Sequence, residues 1–297
     1  MSEIKHDQMD AGGLSFAVDE AGAGDAVAIL LHGFPESRFS WRHQLPMLAD
    51  LGWRAIAPDT RGFGGSSRPS GVAAYKIDAL MEDVAGLFDA AGARRRLLIG
   101  HDWGGIIAWA FAIAGRLPLD GLVVLNAPHP LVFGRLMRRS WRQRMRSWYM
   151  GAFQIPMLPE ALLTARGAKA VGDAFTNEAR DKARFPPEVT DVFRRNALIP
   201  GAATAMINYY RANVFDLARR LEAGAQTIAA PTLMIWGEAD SFMGVEATEG
   251  YEDFVPDFTL KRLPGVSHWV QQEAPEAVNA IIEGWLGKRG LAPALTP

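Results

Sequence analysis

The chain has no cysteine in its 297 residues, which excludes disulfides, a thiol nucleophile and cysteine-ligated metal. It also lacks an excess of charge of either sign. The formal net charge is −2, so no global field favours nucleic acid or an anionic membrane. No apolar run approaches the roughly 20 residues that span a bilayer. The first thirteen residues are polar and carry acids, unlike the basic start and apolar stretch of a signal peptide. The expectation is a soluble, cytoplasmic protein with no nucleic-acid or membrane partner, monomeric or homodimeric. Internal repeats and low-complexity segments are absent too. What is present is 49% hydrophobic content, enough for the core of one domain plus an insertion.

Short strand-like apolar runs at 26–31, 54–58, 96–100 and 122–126 alternate with helical stretches. The alternation resumes at 232–236 and 258–263 and ends in a helix over 275–286. Such spacing indicates parallel strands joined by crossover helices, so the class is α/β. From 131 to 212 the pattern turns helical, without clear strands, and is expected to form a cap over a core made of 1–130 and 213–297. Within it, arginines 135, 138, 139, 142 and 146 fall on one helical face and Met137, Trp141, Met145 and Trp148 on the other. The basic stripe reads as the solvated face of an amphipathic helix rather than a nucleic-acid patch.

The chemistry centres on Gly100-His101-Asp102-Trp103-Gly104, between the strand at 96–100 and a helix expected from Gly105 to about Gly115. Glycines on both sides let the backbone turn sharply and present the central side chain to a cleft above the sheet, as in a nucleophile elbow. Here the central residue is aspartate, not serine. A carboxylate attacking an acyl carbon would give a reactive anhydride. Attack on a saturated carbon gives an ordinary ester that water can cleave. The residue type therefore points to an electrophilic sp3 carbon, as in an epoxide or an alkyl halide.

Cleavage of that ester needs a general base, and histidine suits neutral pH. Of six histidines, His268 lies in the loop Pro264-Gly265-Val266-Ser267-His268-Trp269, between the last strand and the last helix. Asp240, after the strand at 232–236, is its expected acid partner, with Glu238 a weaker candidate. The order 102, 240, 268 is nucleophile, acid, base, the order of the α/β-hydrolase fold. His32 is expected to brace its loop, His101 to pack beside the elbow, and His43 and His129 to be structural.

These motifs resemble the α/β-hydrolase epoxide hydrolases over nearly the full length. The residues that carry the resemblance are His32-Gly33-Phe34-Pro35, Asp59-Thr60-Arg61-Gly62-Phe63-Gly64-Gly65-Ser66, the elbow, Gly237 to Asp240, and His268-Trp269. The resemblance implies a mostly parallel sheet of about eight strands flanked by helices, with an inserted helical cap. It implies backbone N–H groups of Phe34 and Trp103 as an oxyanion hole. It also implies two cap tyrosines that hold the epoxide oxygen. Ile207-Asn208-Tyr209-Tyr210-Arg211 is similar to one cap motif and singles out Tyr210; Tyr209, about 100° round the helix, is expected to be structural. Tyr149, four residues before Phe153-Gln154, is similar to the other. Trp148, Met150, Phe153, Ile155 and Met206, with Phe34, Trp103 and Trp269, are expected to line an apolar pocket. Substrate and water are the only expected partners, with no metal and no cofactor.

Haloalkane dehalogenases share the aspartate and Trp103, but their usual asparagine side-chain donor is replaced here by Phe34. Fluoroacetate dehalogenases resemble Gly-His-Asp-Arg-Gly-x-Arg, whereas Trp103 and Ile106 stand at the two arginine positions. A non-catalytic ligand receptor on this fold would need none of Asp102, Asp240 and His268 together.

Overall fold

The computed structural model describes residues 2–222 and 227–293. Its centre is an eight-stranded sheet in the order β1-β2-β4-β3-β5-β6-β7-β8. The strands are β1 (Lys5–Ala11), β2 (Leu14–Ala21), β3 (Ala26–Leu31), β4 (Arg54–Pro58), β5 (Arg95–His101), β6 (Gly121–Leu125), β7 (Thr232–Gly237) and β8 (Phe258–Leu263). From β4 to β8 all neighbours are parallel, while β2 pairs antiparallel with both β1 and β4. Strands β3, β6 and β7 are buried along their whole length, as parallel strands covered on both faces must be. That is why they read as unbroken apolar runs, each large aliphatic side chain contributing roughly 1.5–3 kcal/mol by burial.

The apolar runs did not reveal β1 and β2. β1 is an edge strand whose residues are mostly exposed, and polar side chains there discourage edge pairing. The available signal was Gly12-Gly13, both at positive φ, a two-residue hairpin turn that glycine favours.

The helices outside the insertion are α1 (Gln44–Asp50), α2 (Ile77–Ala90) and α3 (Trp103–Ile113), followed late in the chain by two more. Between β6 and β7 lie α4 (Pro130–Arg139), α5 (Trp141–Arg146), α6 (Trp148–Ala152), α7 (Leu158–Glu178), α8 (Pro187–Ala197), α9 (Ala202–Asn213) and α10 (Leu217–Glu222). After β8 come α11 (Val270–Glu273) and α12 (Pro275–Lys288). The basic stripe does not lie on one helix. Ser140 is extended, ends α4, and caps α5 by accepting the Gln143 N–H at 3.2 Å. The facing apolar residues Trp141, Met145 and Trp148 are exposed rather than packed down.

Parallel registry brings one end of the sheet to a common level: Leu31 pairs with Gly100, His101 with Leu125, and Gly237 with Leu263. The loops leaving β3, β5, β6, β7 and β8 therefore meet at the carboxyl ends of the strands, where open α/β sheets form their clefts.

Candidate active site

Asp102 follows β5 directly and has φ 49° and ψ −119°, a strained conformation for a residue with a side chain. The turn is held by close packing that leaves no space for Cβ atoms. A Cβ on Gly33 would sit 2.4 Å from Asp102 Cβ, and one on Gly104 would sit 2.1 Å from the Leu31 carbonyl oxygen. The strain lifts the carboxylate into the cleft. The Phe34 N–H donates to Asp102 Oδ1 at 2.8 Å. Trp103 is the first residue of α3, so its N–H has no acceptor within the helix.

His268 Nε2 lies 3.7 Å from Asp102 Oδ2, beyond direct hydrogen-bond length. Its Nδ1 donates to Asp240 Oδ2 at 2.7 Å. Asp240 is fully enclosed and satisfied: Oδ1 accepts the N–H groups of Phe242 and Met243, and Oδ2 also accepts from Asn126 Nδ2 at 2.7 Å. Burial opposes charge on His268. The neighbouring charge of Asp240, reinforced by the Asp102 carboxylate, outweighs it and raises the imidazole well above its usual value. Glu238 is exposed and takes no part.

Tyr149 on α6 and Tyr210 on α9 face each other across the cleft, ring centroids 6.0 Å apart. Burial first, and the negative Asp102 second, hold both phenols well above their ordinary pKa. Both stay protonated and able to donate near neutral pH. Tyr210 packs edge-on against Trp103, Phe34 and Phe153. Tyr209 turns away, its hydroxyl donating to the Arg61 carbonyl at 2.8 Å.

Two cavities meet at Asp102, Tyr149 and Tyr210. One, of about 380 Å³, is lined by Phe34, Trp148, Phe153, His268 and Trp269 among others. The second, about 290 Å³, adds Trp103, Ile106, Met137, Met150 and Val214. Met206 lines neither. It is 0% exposed in the apolar core, because its position on α9 faces the helix's packing side rather than the cleft. Ile155 faces outward and is exposed. Among the described residues no cluster of His, Asp or Glu has the arrangement of a metal site.

The α/β-hydrolase fold family matches residues 27–275. The chain is 38% identical to epoxide hydrolase 3 of Xenopus tropicalis over 263 residues, covering 87% of this chain and 70% of that protein. It is also 38% identical to mouse epoxide hydrolase 4, covering 92% of this chain and 77% of that one. The crystal structure of Bacillus megaterium epoxide hydrolase with an inhibitor superposes with a TM-score of 0.87 at 26% identity, covering 95% of this chain and all of that one. The chain belongs to the epoxide hydrolases of the α/β-hydrolase fold.

The epoxide hydrolase fold here carries supporting groups that the motifs alone did not single out. Glu36, fully buried, accepts the Gly33 N–H at 2.8 Å, the His101 Nδ1 hydrogen at 2.6 Å and the side-chain amides of Gln271 and Gln272. His101 Nε2 donates to the His268 carbonyl at 2.9 Å. His101 thus bridges the Glu36 carboxylate and the His268 backbone through its two ring nitrogens. Burial by itself would raise Glu36. The charge and hydrogen bond of His101, with the Gly33 amide, bring it down to about 2. This pair ties the Phe34 loop, the elbow and the His268 loop together. His32 does brace its loop: Nδ1–H donates to the Gly33 carbonyl and Nε2 accepts the Thr60 N–H at 3.0 Å. On the helical side, Arg211 donates to the Phe153 and Ile155 carbonyls and pairs with Glu160, fixing Tyr210's helix to the end of Tyr149's. The Arg directly after Tyr210 and the Glu directly after Pro159 were the available sequence signals.

Proposed function

We propose that the enzyme converts apolar epoxides to vicinal diols through an ester on Asp102. Residues 131–212 act as a cap that supplies the phenols Tyr149 and Tyr210. The observation that carries this reading is the convergence of two protonated phenols on the same cleft as an aspartate at a strained elbow. Asp102 Oδ1 is held by the Phe34 N–H, which leaves Oδ2 to attack a ring carbon from the side opposite the phenols. The carbon–oxygen bond breaks as a phenol donates its hydrogen to the departing oxygen.

The ester carbonyl is then Oδ1, already at the Phe34 amide, with the Trp103 N–H as the second donor of the oxyanion hole. Esterification also removes the negative charge of Asp102. Part of what keeps His268 protonated is lost at that moment; its proton passes across the cleft to the phenolate, which regenerates the phenol and leaves a neutral imidazole available as a base. His268 takes a proton from water, and the hydroxide adds to the Asp102 carboxyl carbon. Collapse of the intermediate releases the second diol oxygen with a proton and restores the carboxylate. Asp240 keeps His268 oriented and stabilises its charged form. The chain's own residues suffice for every proton movement in this scheme.

A single turnover in heavy-oxygen water tests it. One diol oxygen then comes from unlabelled Asp102, and label enters the diol only from the second turnover onward. Label appearing directly in the first diol would mean that water attacks the ring itself.

A further inference from the structure

Between Asp120 and Glu160 the chain carries six arginines, at 135, 138, 139, 142, 144 and 146, and no acid. Among the described residues none of these six forms an ion pair. All six are exposed along α4 and α5. The same region gathers exposed apolar surface. Of the large hydrophobic side chains exposed among the described residues, seven lie between 141 and 162, and only Val72, Leu198 and Phe215 lie elsewhere. Trp141, Met145 and Trp148 are 64%, 65% and 69% exposed, and Met157 is 79% exposed. Met145, Arg146 and Trp148 also line the 380 Å³ cavity, so this patch surrounds a mouth of the cleft.

We propose that this face, built on α5, α6 and the start of α7, docks on an anionic lipid bilayer. Exposed tryptophan and methionine beside unpaired arginines form the surface that settles at a headgroup boundary, the rings among the acyl ends and the guanidinium groups on phosphates. A second copy of the chain fits it poorly. A two-fold contact would set the arginines of one copy against those of the other, and no acid in this stretch could answer them. The overall charge of −2 conceals the patch because the acids lie elsewhere. Bilayer contact at a cavity mouth would let an apolar epoxide enter from the lipid. That delivery rests on the function proposed above, whereas the docking does not.

Flotation of the full chain with vesicles of phosphatidylcholine, alone or mixed with phosphatidylglycerol, is the test. Trp141, Arg139 and Arg142 line neither cavity, and thermal melts of their variants are run alongside to check that they are folded. The expected result is binding to the mixed vesicles only, weakened by salt and by Trp141→Ser, and reduced roughly 30-fold in Arg139→Gln/Arg142→Gln. Failure of the folded wild type to bind mixed vesicles at low salt overturns the proposal, as does binding that these substitutions leave unchanged. A concentration-dependent dimer abolished by Trp141→Ser, without vesicle binding, would assign the face to a second copy instead.

Discussion

The two halves of the cleft are held by different physics. On the sheet side, Asp102, Asp240 and His268 sit on loops a few residues long at the carboxyl ends of β5, β7 and β8. Buried charge fixes them: the Asp240 carboxylate accepts from His268, Asn126 and two amides, and Glu36 accepts from His101, Gly33 and two glutamines. On the helical side, Tyr149 and Tyr210 are positioned by ring packing against Phe34, Phe153 and Trp103, and the main ionic clamp there is Arg211 with Glu160. Hydrogen bonds also stitch the two sides together: Glu273 accepts from Ser267 beside His268 and from the Arg180 and Asp181 amides, and Gln143 joins the Phe242–Gly244 loop. Buried, multiply satisfied charges specify one geometry, while aromatic packing tolerates adjustment. Asp102 and His268 are thus set rigidly, and Tyr149 and Tyr210 more softly.

Substitutions on the two sides should break different steps. The largest effect is expected from His268→Gln, with multiple turnover lowered on the order of 10³-fold or more. Mass spectrometry should find the enzyme heavier by one substrate, since the first step does not use the base. Absence of any adduct with a turned-over epoxide would remove His268 from the base role. Tyr149→Phe and Tyr210→Phe are expected to slow adduct formation by roughly 10²-fold each, without slowing adduct breakdown. Rapid-quench measurement separates the two steps, and slower breakdown alone would contradict their assignment to ring opening.

Glu36→Gln should destabilise the fold by about 3 kcal/mol, because it removes a buried carboxylate that accepts from His101, Gly33, Gln271 and Gln272. Denaturant unfolding measures this, and a loss near zero would show that the carboxylate is not what holds these donors in place. In the wild type, Glu36 is depressed from 4.5 to about 2. Its contribution is present above pH 4.5 and lost as pH falls toward 2. The smallest effect is expected in the pH profile. Because His268 is raised above 6.5, its charged form stabilises the fold fully below pH 6.5 and progressively less as pH rises through the raised value. The hydrolysis step needs the neutral ring, so its rate should climb with pH, at lower pH than the free enzyme titrates because the ester lacks the Asp102 charge. Asp240→Asn removes the charge that holds the proton and should move the climb to lower pH. An unmoved profile would mean that another group controls it.

Much of the sheet side is legible along the chain because its signals are local. A buried parallel strand is an apolar run. An elbow needs small residues at fixed offsets around Asp102. The loops carrying Asp240 and His268 follow their strands directly. The helical side is less legible. The periodicity over 135–148 suggested one amphipathic helix, but a break at Ser140 divides it, and Trp141, Met145 and Trp148 face solvent. Met206 shares a helical face with Tyr210 by spacing, yet the packing of α9 buries it away from the cleft.

By itself the sequence determined the α/β class, the aspartate at the elbow and the placing of Asp240 and His268 on loops that follow β7 and β8, since each follows from residue type and short spacing. Only the tertiary structure decided that Glu36, 65 residues from His101, is hydrogen-bonded to it in the interior. The same holds for the meeting of two phenols from separate helices over one carboxylate, and for a basic, aromatic face left open to solvent. Those facts depend on which surfaces meet across long stretches of chain, and burial, which sets both hydrogen-bond partners and protonation, exists only once they have met.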